Sequence, residues 1–170
     1  MSDRPLGGED ITSLLVEVAA ELSETPGRRI VVVGGALLAL HGLREATRDV
    51  DSTTVVDAEL RDAVALVASR HGLAPAWLND HAKGFLPVTF REAACEVLID
   101  QPGLTVLGAP LNQVFLMKLF ASRAADAGDI EVLWEHCSFE SPEDAAEAFH
   151  LGYPHLEVDE YLADHIRALI

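Results

Sequence analysis

The chain has 170 residues, 49% of them apolar, and its 28 Asp and Glu against 12 Lys and Arg give a formal net charge of −16. That length supports one full core rather than two comfortable domains, so a single domain over residues 1–170 is expected. No apolar run approaches the roughly 20 residues that cross a bilayer, and no membrane association is expected. So acidic a surface repels polyanions, which disfavours broad nucleic-acid binding without a local basic patch or a basic partner.

Met1–Asp10 is polar and Gly-rich and does not read as a signal peptide. The two cysteines, Cys95 and Cys137, lack CxxC spacing and fit a reducing cytoplasm. Leu14, Leu15, Val18, Ala19 and Leu22 recur at helical spacing, predicting a helix over 11–24 capped by Asp10 or Thr12 and ended by Pro26 and Gly27. The β-branched run Arg29–Val33 predicts a buried strand, broken by Gly34 and Gly35, then a short helix over 36–41 closed by Gly42. Val50–Val56 predicts a second strand, and Asp57 caps a helix over 58–71 that ends at Gly72. Beyond a loop with Pro75, Trp77 and Gly84 stand three strand candidates, 86–90, 95–100 and 104–107. From Pro110 onward the pattern is helical: 111–124, 127–137, 142–151 and 156–169, with Pro142 and Pro154 at the breaks. The expected fold class is α/β (α+β), a small mixed sheet with flanking helices, its core over about 28–135 and a helical carboxy-terminal third over 141–170.

The informative stretch is VVVGGALLALHGLREATRDVDSTT, residues 31–54. A strand delivers two glycines and a helix begins at once. Such glycines allow the backbone close to a phosphate, and a helix amino terminus presents free N–H groups. Asp49 and Asp51 flank Val50 at the start of the next strand, so strand alternation puts both carboxylates on one face. Two carboxylates so placed repel each other unless a cation lies between them, and Mg²⁺ suits carboxylate and phosphate oxygens. A solvated strand edge is the plainer reading of the pair, and a simple strand-to-helix turn that of Gly34–Gly35.

These residues resemble the DNA polymerase beta-like nucleotidyltransferases, in particular the bacterial branch related to abortive-infection and toxin–antitoxin nucleotidyltransferases and to lincosamide nucleotidyltransferases. The likeness rests on Gly34, Gly35 and Gly42, on the segment Thr47–Asp51, and on MKLFASRAADAGDIEVLW, residues 117–134, which is similar to a later Lys–Arg–Asp–Asp signature. The sequence departs from the usual Gly-Ser pair, because Gly35 offers no hydroxyl.

The resemblance implies two Mg²⁺ ions on Asp49 and Asp51, a nucleoside triphosphate at Gly34 and Gly35, and a third carboxylate on a neighbouring strand. Asp100 fits by position, with Glu96 on its face by period two; Asp126 and Asp129 of the later signature are the rival, unless they serve to cap a helix. Lys118, one of two lysines, shares a helix row with Leu111, Val114 and Phe115, and a cation there needs an anion unless it snorkels from the core margin. The resemblance implies phosphate or the metal-site carboxylates. Arg44 and Arg48 flank the pair and suit phosphate oxygens, Arg44 alternatively pairing with Glu45. The expected activity is Mg-dependent nucleotidyl transfer to an RNA or protein acceptor, in a toxin–antitoxin setting. The alternatives are a catalytically idle fold that binds a basic protein partner, and a small-molecule (antibiotic) nucleotidyltransferase. The seven histidines form no HExxH or Cys–His zinc pattern, and no G-x-S-x-G elbow or Walker loop occurs.

Overall fold

The computed structural model describes residues 4–170, so part of the amino-terminal segment read above, Met1–Asp3, lies outside the described residues. The chain divides into two compact units, one formed by the chain up to Gly84 with Ala94–Ala109, the other by Phe85–Ala93 with Pro110–Ile170.

The first unit is a five-stranded mixed sheet with three helices. Its strands are β1 (Arg28–Val33), β2 (Val50–Ser52), β3 (Leu78–Asn79), β4 (Glu96–Gln101) and β5 (Leu104–Gly108), in the order β3-β2-β1-β5-β4. The central strand pairs antiparallel with β2 and parallel with β5. Ile30, Val31, Val32 and Val33 are all buried, so the apolar run is continuous rather than alternating because both faces of the sheet are covered. The helices are α1 (Gly8–Glu21), α2 (Gly34–Leu40) and α3 (Ala58–His71). Helix α3 matches its expected bounds because its ends are chemically marked: the Asp57 carboxylate accepts from Leu60 N–H, and Gly72 adopts a left-handed φ of 67°. The strand expected over 50–56 stops at Ser52, whose hydroxyl accepts from Thr54 N–H and turns the chain.

Helix α1 runs Gly8–Glu21 rather than 11–24, with Gly7 in place of Asp10 or Thr12 at its N-cap, and the stretch after α3 departs from its expected course as well. Residues 86–90 do not form a strand: Pro87 starts a turn closed by Phe90 N–H on the Pro87 carbonyl. A two-residue strand, β3, appears instead after the buried Trp77, whose indole N–H donates to the Val64 carbonyl.

The second unit is helical: α4 (Leu111–Ala121), α5 (Ala127–Trp134), α6 (Pro142–Gly152) and α7 (Leu162–Leu169), with a 3₁₀ turn at Ala124–Asp126. Its aromatic core stacks Phe120 on Tyr153, ring centroids 4.4 Å apart, and the Tyr153 hydroxyl donates to the Phe85 carbonyl at 2.7 Å. Helix α7 starts later than the expected 156, because the segment after Pro154 is spent on turns. No described helix is long and apolar enough to cross a membrane.

Candidate functional site

In the sheet unit, the buried β1 ends at Val33, and Gly34 opens α2 with φ 63°, a left-handed conformation that L side chains seldom adopt. Register places Asp51 opposite Val33, at the mouth of this turn. A methyl group built on Gly34 would lie 3.5 Å from Asp51 Oδ2, so the carboxylate rests against the glycine turn. Asp51 is half-buried between the buried Val50 and Ser52, while Asp49 is exposed in the bend just before the strand.

Gly35 is tight for a different reason. A methyl group there would come within 2.9 Å of Thr47 Oγ1 and 3.2 Å of Arg44 Nη1. The space above Gly35 is thus taken by the chain's own loop. That loop is tied down twice: Thr47 and Leu6 exchange both backbone hydrogen bonds, at 2.6 and 2.9 Å, and Arg44 Nε donates to the Ala46 carbonyl. Leu6 is fully buried and Thr47 nearly so. Arg44 and Arg48 are exposed on this loop, beside the Gly-Gly turn and the carboxylates respectively.

The strands beside Asp51 bring no further carboxylate to its row. Its register partners are Val33 on β1 and Asn79 on β3, and the Asn79 amide oxygen accepts from His81 N–H. Asp100 pairs with Thr105, which pairs with Arg29. It is therefore three strand spacings and four residues from Asp51, about 20 Å by strand geometry, too far to share an ion. A bulge at Leu98 breaks the alternation of β4, so Glu96 and Asp100 face opposite sides of the sheet, contrary to the period-two expectation. Asp100 accepts from the Thr105 hydroxyl, and Glu96 pairs with His41 Nε2 at 2.8 Å.

In the helical unit, Lys118, Asp126 and Asp129 form one cluster. Lys118 Nζ lies 2.7 Å from Asp126 Oδ1 and 2.8 Å from Asp129 Oδ2, with the three side chains 9%, 15% and 14% exposed. The anions that the buried ammonium requires are therefore supplied within its own unit. Cys137 is chemically quiet: burial pushes its thiol up to about 12.

Among the described residues, no three His, Cys, Asp or Glu side chains are grouped to hold a metal ion.

A family model described as nucleotidyltransferase of unknown function (DUF6036) matches residues 12–162. The chain belongs to this family. No curated protein and no solved structure matches it. For this nucleotidyltransferase family member, the match runs through both units, from within α1 to the start of α7. Reading the sequence did not find Leu6 or Asn79. Leu6 lies in a polar, Gly-rich segment with no periodic neighbours, and Asn79 sits in a strand too short to show alternation.

Proposed function

We propose that the protein transfers a nucleotidyl group from a nucleoside triphosphate to an acceptor hydroxyl. Family membership supports this reading, and one observation carries it: Asp51 Oδ2 rests on the left-handed Gly34 turn, two residues after the exposed Asp49. In the proposed reaction the acceptor oxygen bonds to the α-phosphorus as the bond to pyrophosphate breaks, and the hydroxyl proton passes to a carboxylate oxygen of the pair. Mg²⁺ held by Asp49 and Asp51 would neutralise phosphate charge. Thr47 brings a hydroxyl to the turn where Gly35 has none. Arg44 and Arg48 offer guanidinium groups to phosphate oxygens. The acceptor class that we favour is RNA or a protein, within a toxin–antitoxin pair; a small hydroxylated antibiotic is the third possibility.

A second reading, a catalytically idle fold that binds a partner, is favoured by Asn79, an uncharged amide where the adjoining strand would have set a further carboxylate. A thermal-shift matrix tests the first reading. With only two protein carboxylates, neither Mg²⁺ nor nucleotide alone should move the midpoint, and the two together should raise it. An unchanged midpoint with both at saturating concentration refutes the nucleotide site.

A further inference from the structure

The last 31 residues, 140–170, hold eight of the carboxylates and a single arginine, so nearly half of the net charge of −16 lies in under a fifth of the chain. The same region is where apolar side chains are left outside. Among the described residues, Leu151 (62% exposed), Leu156, Val158 (71%) and Tyr161 (74%) fall within eleven positions, whereas other large exposed apolar residues are scattered. Single exposed apolar residues need no explanation, but exposed apolar side chains that line one groove do.

Of these four, Leu151 and Val158 line one groove formed by α6, the connecting segment and the start of α7. Ala146, Leu151, Val158 and Ala163 line it together with Glu143, Glu147, Asp159 and Glu160, and no lysine or arginine is among the lining residues, although Arg167 pairs with Glu143. His150 Nε2 accepts from Asp159 N–H and holds the connecting segment against α6. Apolar side chains set among carboxylates are complementary to an apolar stripe flanked by cations. A second copy of this chain would bring the same eight carboxylates onto the face and be repelled. Along α6 the backbone groups are mostly satisfied internally, and on the connecting segment the Asp159, Tyr161 and Leu162 N–H groups already donate to His150 Nε2, Asp159 Oδ1 and the Asp159 carbonyl, so an extended peptide would find no ladder to join, whereas a helical segment satisfies its own.

We infer that the α6–α7 groove docks a basic amphipathic helix of a partner protein, with Leu151 and Val158 taking its apolar stripe and Glu147 and Glu160 its lysines or arginines. This inference does not depend on nucleotidyl transfer, and its test leaves Asp49 and Asp51 untouched.

The probe is a labelled Leu/Lys peptide of about five helical turns, with leucines at helical spacing. The control has the same composition, rearranged to alternate. Binding to the full chain is read by fluorescence anisotropy at physiological salt. The helical peptide should bind, and the alternating one at least about tenfold more weakly, a difference of about 1.4 kcal/mol. Leu151→Ser with Val158→Ser changes no charge and should weaken binding about tenfold with circular dichroism and melting unchanged. Glu147→Lys with Glu160→Lys should weaken it and flatten its salt dependence, while Asp62→Lys on the other unit should not. Equal binding of both peptides, equal effects of Asp62→Lys and the groove charge reversals, or indifference to the serine pair would each overturn the inference in favour of diffuse charge attraction. A concentration-dependent dimer in sedimentation, abolished by the serine pair and accompanied by no peptide binding, would overturn it in favour of a second copy.

Discussion

Replacing Lys118 with Met should destabilise the helical unit more than any surface substitution. The ammonium is 9% exposed and sits within 2.8 Å of two carboxylates that are themselves mostly buried. Removing it takes from Asp126 and Asp129 the ammonium that both meet, and breaking a buried pair in this way costs about 3–5 kcal/mol. Against a total of about 5–15 kcal/mol for a domain, that is a large share. With a urea slope of about 2 kcal/mol/M, the midpoint should fall by about 2 M. The assay is urea denaturation followed by the fluorescence of Trp134, which lies in the same unit with its ring 5.7 Å from Phe115. Trp77, the other tryptophan, belongs to the sheet unit and is silenced by Trp77→Phe in the reference protein and in every variant. Asp126→Asn alone should cost less, about 1.5–3 kcal/mol, because Lys118 keeps Asp129. The triple variant Lys118→Met, Asp126→Asn, Asp129→Asn should recover most of the loss, since no charge is then stranded. A midpoint fall below about 0.5 M for Lys118→Met, about 1 kcal/mol, would refute the reasoning and mean that water already satisfies both carboxylates. The triple variant also separates two roles: transfer lost at recovered stability would assign the Lys118–Asp126–Asp129 cluster a task in transfer beyond its structural one.

Asp49→Asn and Asp51→Asn should each abolish nucleotidyl transfer yet leave melting in metal-free buffer unchanged or raised, because the amide keeps the shape and relieves repulsion; unfolding of either variant would show that its carboxylate is structural. Gly35→Ala should cost about 1–3 kcal/mol through its 2.9 Å approach to Thr47 Oγ1, and Thr47→Ala in the same chain should return part of it, read as a double-mutant cycle in urea. Asp57 titrates below its usual range, chiefly because it accepts from Leu60 N–H and secondly because it pairs with Arg28. Its folded value is depressed, so its contribution is present above about pH 3.9 and lost as pH falls through the lower folded value; Asp57→Ala should cost about 1 kcal/mol at neutral pH, and the gap to wild type should close in acid. Cys137, its thiol raised to about 12 by burial, should resist iodoacetamide at pH 8 in the native protein and react once urea is added, as followed by mass spectrometry.

Much of this architecture was legible because its signals are local. Helix α3 announces itself by a capping aspartate and a terminal glycine, β1 by a β-branched run, and the turn at Gly34 by the lack of a Cβ; each is decided by the conformational preferences of a few adjacent residues. The approach of Asp51 to the Gly34 turn was within reach of sequence reasoning too, since both lie within one short stretch of chain. Three features needed the tertiary structure. The distance between Asp100 and Asp51 depends on sheet order and register, which no local pattern encodes, and a single bulge at Leu98 was enough to reverse the face that simple alternation assigns. The neighbour of Asp51 on β3 is Asn79, in a strand of two residues held by pairing rather than by propensity. The counter-ions of Lys118 proved to be Asp126 and Asp129, because a turn after α4 brings residues eight and eleven positions away onto the ammonium, whereas the sequence showed only that a buried cation must find an anion. Local chemistry thus marked the candidate residues, and long-range pairing decided which of them meet.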